Sequence, residues 1–599
     1  FMDSSALKRL KFLLVIGLGA WVIIWGRLFY VQVFSHQRAL EILADQHKFL
    51  LELSGKRGKI YDRNLIPLAC GVNSLSLYAV PDSVRNRRYL SRVLAEVVGT
   101  NPDSLLASLS SGKRFVWIKR KVNPDQLVEF KKWDLKGAYL VAEERRHYPE
   151  GKLGRSFLGY TDIDNVGIAG LEKNYDSLLR PKTVEVPFLR DARGGLRPLN
   201  YKAEDGITDG MNLILTIDIR LQEIVETELR RAVGSCGALS GIAIFMDPFS
   251  GEILAFANSI NGQEGSAYNK GIVDCFEPGS TFKLLTFASA LEHGVFKPEA
   301  VIHGEWGECQ FPGIVVHDHE PFGPLTFRRA FEVSSNVISA KIAREVGWDK
   351  FCETLQSFGI GEKTGVDLPG ETRGVIPRFD QSNEVTLATM AFGQGIAITA
   401  LRLLCCYAVV ANGGFAVSPS IVKKTLNSEG QVLPARGGNQ PQQVCGKRVL
   451  SPTTVSTLVE FMEGVVDSGT ALQARMYNLK VAGKTGTAEK PLEGERGYKP
   501  GAYVASFVGF LPSDKPRFLG LVILDEPQGQ HYGGQVAAPV FRRIVEKALV
   551  LPGYEIERNG KGSSIESLTE RRSKPSPVFL SDEKSYALEV GQTLDFENP

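Results

Sequence analysis

The sequence predicts a membrane-anchored α/β protein of several domains, its catalytic part a sheet covered by helices. Three observations lead there. The chain has 599 residues, too many for one hydrophobic core, so about two to four domains are expected. An uncharged run stands near the N-terminus behind a basic flank. Beyond residue 206 the apolar period switches repeatedly between that of strands and that of helices. Composition is otherwise ordinary, 43% apolar and 23% charged, and a net charge of +3 gives no footprint for nucleic acid.

The first element is the anchor. Lys8, Arg9 and Lys11 precede FLLVIGLGAWVIIWG; Arg27 interrupts, and LFYVQVF carries the run to Phe34. Such a stretch crosses a hydrocarbon core of roughly 30 Å with Arg27 snorkelling at one interface. With no small-residue cleavage site after it, residues 10–34 read as a retained span. The basic flank keeps residues 1–9 cytoplasmic and puts the bulk outside. Residues 35–205 read as a polar, turn-rich, mixed α/β pedestal containing RGKIYDRNLIPLA (57–69), a helical stretch near 85–98, RRHYPEGKLGRSFLGY (145–160) and GIAGLEKNYDSLL (167–179).

A boundary falls near residues 203–206, and 206–550 read as the second large domain. NLILTIDIRLQEIVETELRRAV passes from strand alternation to a helix. GIAIFMDPFSGEILAFAN reads as a hairpin turned by Pro248 and Gly251. Sheet-like segments return at 502–512 and 517–527, and a last helix near 540–550. Residues 551–599 are too polar to bury much and are expected to be a flexible tail.

Eight cysteines are scattered without a CxxC, which leaves disulfides and buried free thiols both open. His317, Asp318 and His319 have no third-ligand partner in view, so they read as a surface loop and no metal is predicted.

Chemistry is concentrated at three places. In EPGSTFKLLTFASAL, Ser280 opens an apolar helix and Lys283 follows three residues later on the same face. A serine nucleophile needs a base, and burial among Phe282, Leu284, Leu285 and Phe287 would lower the lysine pKa until it can serve as one. Backbone N–H groups at the helix entrance suit a developing oxyanion. Next, Ser334, Ser335 and Asn336 interrupt two helical stretches, as a corner or as a proton relay with a substrate-holding amide. Finally, Lys484, Thr485, Gly486 and Thr487 form a strand-like KTGT, where Gly486 would admit another backbone and the flanking groups a carboxylate.

Singly each motif is weak. In this order, S-x-x-K, S-x-N about fifty residues on and K-T-G about 150 further, they resemble the motif set of penicillin-binding proteins. The chain looks most like the class B, division-type (septal) transpeptidases. RGKIYDRNLIPLA is similar to a class B signature, with Leu65 where glycine is usual, and the resemblance runs from the anchor to about residue 551. It implies a pedestal or dimerisation domain followed by a penicillin-binding transpeptidase fold, an antiparallel sheet sandwiched by helices plus an all-helical part. It also implies a peptidoglycan D,D-transpeptidase without cofactor. Ser280 would attack the D-Ala–D-Ala bond of a stem peptide, Lys283 would act as base, and Ser334 and Lys484 would relay the proton. Asn336, Thr485, Gly486 and Thr487 would hold the donor, and the N–H groups of Ser280 and Thr487 would form the oxyanion hole. An amine acceptor completes the cross-link, and β-lactams would acylate Ser280. The implied partners are a membrane glycan polymerase and division-complex proteins, and the implied place is the cytoplasmic (inner) membrane. Two other readings remain open: a carboxypeptidase or β-lactamase that sends water to the acyl-enzyme, and a non-catalytic scaffold or β-lactam sensor.

Overall fold

A computed structural model describes residues 4–34, 48–190, 196–198 and 208–556, apart from a few short internal stretches. The boundary residues 203–206 and most of the tail lie outside the described residues. A helix over Ser4–Phe29 continues as a π-turn over Tyr30–Phe34. Its apolar segment, Lys11–Val33, is long enough to span a bilayer and is left unburied by the other described residues.

The pedestal is built on a seven-stranded sheet. It contains β1 (Ile60–Tyr61), β2 (Pro67–Ala79), β3 (Val116–Lys119) and β4 (Ala138–His147). Helices α1 (Arg87–Val98) and α2 (Pro102–Leu109) supply its core through Leu90, Leu94, Leu105 and Leu109, and α3 (Pro124–Lys131) packs the partly buried Leu127 and Phe130 against it. Asn86 and Asn101 cap α1 and α2 by accepting from Tyr89 N and Asp103 N, so the helix starts follow from local side-chain chemistry. Strand β5 (Asn212–Leu215) pairs in parallel with β1, and the later strand β6 (Val422–Leu426) pairs with β5. One sheet therefore ties the pedestal to residues of the second half of the chain.

The pedestal motifs meet in the interior. Arg57 donates to Glu172 at 2.7 Å and Arg146 donates to the same carboxylate at 2.6 Å, with Glu172 fully buried. Arg57 also reaches Asp176 at 2.7 Å. Residues remote in sequence are thus held by one shared charge, which neither arginine can lose without leaving an unpaired ion in the core. Leu65 takes the left-handed φ of +66° that glycine would favour. The Asp62 carboxylate holds that turn by accepting from Asn64 N and Ile66 N at 2.7 and 2.8 Å.

Helix α4 (Ile219–Ser235) leads into an antiparallel five-stranded sheet. Its strands are β7 (Ser240–Met246), β8 (Ile253–Ile260), β9 (Ala482–Pro491), β10 (Tyr498–Leu511) and β11 (Phe518–Asp525), in the order β8-β7-β11-β10-β9. The hairpin predicted around Pro248 and Gly251 is β7–β8. Between β8 and β9 runs the helical part. It includes α5 (Lys283–Glu292), α6 (Phe327–Glu332), α7 (Asn336–Val346), α8 (Ala400–Ala411) and α9 (Pro452–Asp467). The last helix, α10 (Ala538–Ala548), lays Phe541 against Phe245 and Phe507, while α8 packs against β7, β10 and β11, so helices sandwich the sheet. Burying this many rings and branched side chains, each worth roughly 1.5–3 kcal/mol, makes the sheet a rigid base for its edge strand β9.

Candidate active site

The nucleophile turn comes first. Residues Gly279–Phe282 form a single 3-10 turn that passes into α5, and Lys283 N donates to Ser280 O. In such a turn residues i and i+3 are superposed, so Lys283 lies one turn deeper than Ser280 on one face. The turn is pinned where Gly279, at φ +53°, donates from its N to Gly393 O at 3.1 Å. It is pinned again where Tyr407 donates to Thr281 O at 2.7 Å. Ser280 lines a cleft of about 770 Å³, together with Ser334, Asn336, Thr485 and Thr487.

Strand β9 brings the KTGT segment against this turn, at the sheet edge as its composition suggested. Gly486 is there because a Cβ would lie 2.4 Å from Ser506 Oγ and 3.0 Å from Pro278 O. The backbone that approaches Gly486 is therefore that of the nucleophile turn. Lys484 is fully buried. Thr485 and Thr470 share a hydrogen bond of 2.6 Å, and Thr487 Oγ1 accepts from Gly533 N at 3.1 Å.

Ser334 joins α6 to α7 at φ +63°, a strained conformation for a side-chain-bearing residue. That twist sets its hydroxyl between both lysines: Lys283 Nζ is 3.0 Å and Lys484 Nζ 2.9 Å from Ser334 Oγ. The helix–helix corner and the site motif are one object here. Ser335 is the cap, accepting from Ile338 N at 3.0 Å, while its neighbours on either side face the chemistry.

Lys283 Nζ also donates to Ser334 O at 2.5 Å and to Asn336 Oδ1 at 2.7 Å. No hydrogen bond joins Ser280 Oγ to Lys283 among the described residues; the amine is engaged by the SSN corner. Asn336, expected to hold substrate, spends Oδ1 on Lys283 and donates Nδ2 to His317 O at 3.0 Å, with one further site left on each end. A neutral lysine suits this arrangement. Its two protons satisfy the two oxygens that can only accept, and its lone pair meets the Ser334 hydroxyl.

Burial pushes the Lys283 ammonium down to about 7, against a smaller upward pull from Asp318. Burial also drives Lys484 well below its ordinary value, and the neighbouring Lys283 adds to that. Two amines in one dry pocket cannot both stay charged cheaply.

Asp318 was missed. The segment 317–319, expected as a surface loop, lines the cleft. Asp318 accepts from Ser335 Oγ at 2.6 Å and from Val337 N at 3.1 Å, and it bonds Asn336 N as well. It therefore anchors the start of α7. Glu277 was missed too: it accepts from Gly395 N at 2.9 Å and Tyr498 Oη at 3.1 Å, tying the segment before the nucleophile to the β9–β10 hairpin. Neither carries a sequence signal: Glu277 acts through partners over a hundred residues away, and Asp318 through Ser335 and two backbone N–H groups that only the packing of the loop on α7 brings to it.

A serine at a helix entrance, with two desolvated lysines bridged by a second serine, is equipment for covalent acyl transfer. Comparison with known proteins agrees. Residues 241–546 match the family model of the penicillin binding protein transpeptidase domain, and residues 52–215 that of the penicillin-binding protein dimerisation domain. The chain is 33% identical to peptidoglycan D,D-transpeptidase FtsI of Escherichia coli, over 87% of this chain and 88% of that one. It is 30% identical to stage V sporulation protein D of Bacillus subtilis, over 92% and 87%. Penicillin binding protein 3 of Mycobacterium tuberculosis, solved with aztreonam, superposes with a TM-score of 0.65 at 26% identity, covering 83% of this chain and 96% of that one. The chain belongs to the penicillin-binding protein family, in its class B branch.

Proposed function

We propose that this protein is a peptidoglycan D,D-transpeptidase of the division type that works through a Ser280 acyl-enzyme and is a target of β-lactams. The observation that carries the reading is Ser334 Oγ held between two buried lysine amines in the cleft that Ser280 lines. Neutral Lys283 takes the Ser280 proton, directly after a rotation of the Ser280 hydroxyl or through Ser334. The alkoxide attacks the carbonyl of the D-Ala–D-Ala bond, and the N–H groups of Ser280 and Thr487 receive the oxyanion, a contribution often worth about 3 kcal/mol. Ser334 and Lys484 return the proton to the departing D-alanine. Thr485 and Thr487 bind the donor carboxylate under the positive potential of Lys484. Gly486 lets the strand close on the turn, and Asn336 uses its remaining amide sites for the donor backbone. A side-chain amine of a second stem peptide then takes the acyl group.

In this reading residues 35–205 are the pedestal, 206–550 the transpeptidase domain and 551–599 a tail. The anchor at 10–34 places residues 1–9 in the cytoplasm and the site outside the inner membrane. Glycan polymerisation then falls to a membrane polymerase that meets the anchor and pedestal beside other division proteins. Intact-mass analysis after incubation with a labelled penicillin tests the reaction. One lasting adduct, mapped to Ser280, is expected; rapid release of hydrolysed drug, or label elsewhere, overturns it.

A further inference from the structure

The cleft that Ser280 lines has an acidic surface. Asp318, Glu320 and Glu489 face it, and among the described residues no lysine or arginine lines it. Lys283 and Lys484 lie beneath, fully buried. The other lining groups able to carry positive charge are His317, His319 and His531. Asp318 is committed to Ser335 and the start of α7. Glu320 and Glu489 have no ion pair or side-chain hydrogen bond among the described residues.

Glu489 stands on the strand face that meets a ligand. Side chains alternate along β9, so Thr485, Thr487 and Glu489 line the cleft while Gly486 and Ala488 do not. Thr485 is buried, Thr487 half-buried and Glu489 exposed, so this face runs from the floor of the cleft to its mouth. Glu489 lies about 7 Å beyond Thr487 along the strand. The other described cations of the β9–β10 hairpin are engaged elsewhere. Lys490 turns to the opposite face and pairs with Asp525 at 2.9 Å and Glu526 at 2.8 Å, and Lys499 pairs with Glu526 at 2.8 Å. On the other side stands a second acid. Glu277 spends its oxygens on Gly395 N and Tyr498 Oη; burial raises its carboxyl, and the charge of Glu489 adds to that.

We propose that Glu489 is a specificity-determining residue of this cleft, selecting donors that carry an ammonium group beyond the reacting carbonyl over donors that carry a carboxylate there. The assignment rests on the acyl-transfer reading of Ser280. With its own carboxylate on Thr485 and Thr487, a donor laid along β9 like an added strand brings the groups beyond its reacting carbonyl past Thr487 to Glu489. An ammonium there meets an unpaired opposite charge, and a carboxylate meets a like one. Among stem peptides, the favoured donor presents its side-chain ammonium without a free carboxylate beside it. The same rule ranks β-lactams by the charge of their side chains.

Three penicillins isolate that charge. Benzylpenicillin, ampicillin and carbenicillin share a phenylacetyl side chain and differ in the hydrogen, amino group or carboxylate on its α-carbon. The test measures second-order acylation of the full chain in detergent at about pH 7, where an α-amino group is mostly protonated. Wild type and variant are compared on the same drug, so the intrinsic reactivity of each β-lactam cancels. Glu489→Gln should lower the ampicillin-to-carbenicillin rate ratio about tenfold, and Glu489→Lys about tenfold again. Carbenicillin should acylate Glu489→Lys faster than wild type, a gain that no misfolded variant can show. Glu320→Gln, which changes the segment 314–320 instead of β9, should move the ratio less than about twofold. A ratio unchanged in both Glu489 variants, with the adduct still on Ser280, overturns the assignment and leaves the acyl-transfer reading standing. So does an equal shift in Glu320→Gln, which would mean that the field of the whole cleft makes the choice. No adduct on Ser280 with any of the three drugs overturns the acyl-transfer reading, and this assignment with it.

Discussion

Lys283 and Lys484 converge on one oxygen: their Nζ atoms lie 3.0 and 2.9 Å from Ser334 Oγ, and both residues are fully buried. Two ammonium groups at that spacing repel in a medium that solvates neither, so one proton is readily lost. Lys283, held at about 7, is a proton store poised near neutrality.

A pH dependence follows from Lys283, held at about 7. The base works unprotonated, so penicillin acylation should rise with pH through about 7 and level off above it. Asp318 pulls that value upward, so Asp318→Asn should move the rising limb to lower pH. Lys283→Arg should lose about 10²–10⁴-fold in rate, because a guanidinium does not deprotonate at these pH values. Stopped-flow acylation across the pH range checks all three.

Ser334 separates strain from chemistry. Ser334→Ala and Ser334→Gly should both acylate far more slowly, since each removes the bridging hydroxyl. Glycine takes φ +63° without penalty, so Ser334→Gly should exceed Ser334→Ala in stability by about 1 kcal/mol. Equal denaturation midpoints would mean that the left-handed conformation carries no cost.

Gly486 controls how closely β9 meets the nucleophile turn. In Gly486→Ala the new methyl would sit 2.4 Å from Ser506 Oγ, and the strand must shift. Such overpacking costs about 1–3 kcal/mol. Acylation is expected to fall more than about tenfold while circular dichroism stays unchanged, because a small displacement of Lys484 and Thr485 misaligns the site.

In the pedestal, Glu172→Ala should destabilise by about 3–5 kcal/mol, since it strands Arg57 and Arg146 in the core. Thermal unfolding should show the loss in the pedestal, with the penicillin adduct at Ser280 still forming in folded protein. An unchanged unfolding curve would mean that water reaches the two arginines.

Much of the fold was legible because it is written in local patterns. Strand alternation and turn residues marked the β7–β8 hairpin, and the uncharged run marked the anchor. The two-layered role of 334–336 was half legible: Ser and Asn announce a cap, and the cap is Ser335. That Lys283 is bonded to Ser334 and Asn336 instead of Ser280 was not legible, because side-chain partners depend on how α5 meets α7. Asp318 escaped notice for the same reason. It accepts from the Ser335 hydroxyl and from two backbone N–H groups, which every sequence possesses alike, and only the docking of the loop on α7 brings them together.

By itself the sequence determined which chemical groups exist and in what order: one alcohol ahead of an apolar helix, two lysines, a capping corner and a glycine-bearing strand. Periodicity and turn chemistry act over a few residues, so they are fully encoded there. Tertiary structure alone decided that both amines share one hydroxyl and that three pedestal motifs share the Glu172 carboxylate. Those facts depend on desolvation and on distances between segments far apart in the chain, and only packing sets either quantity.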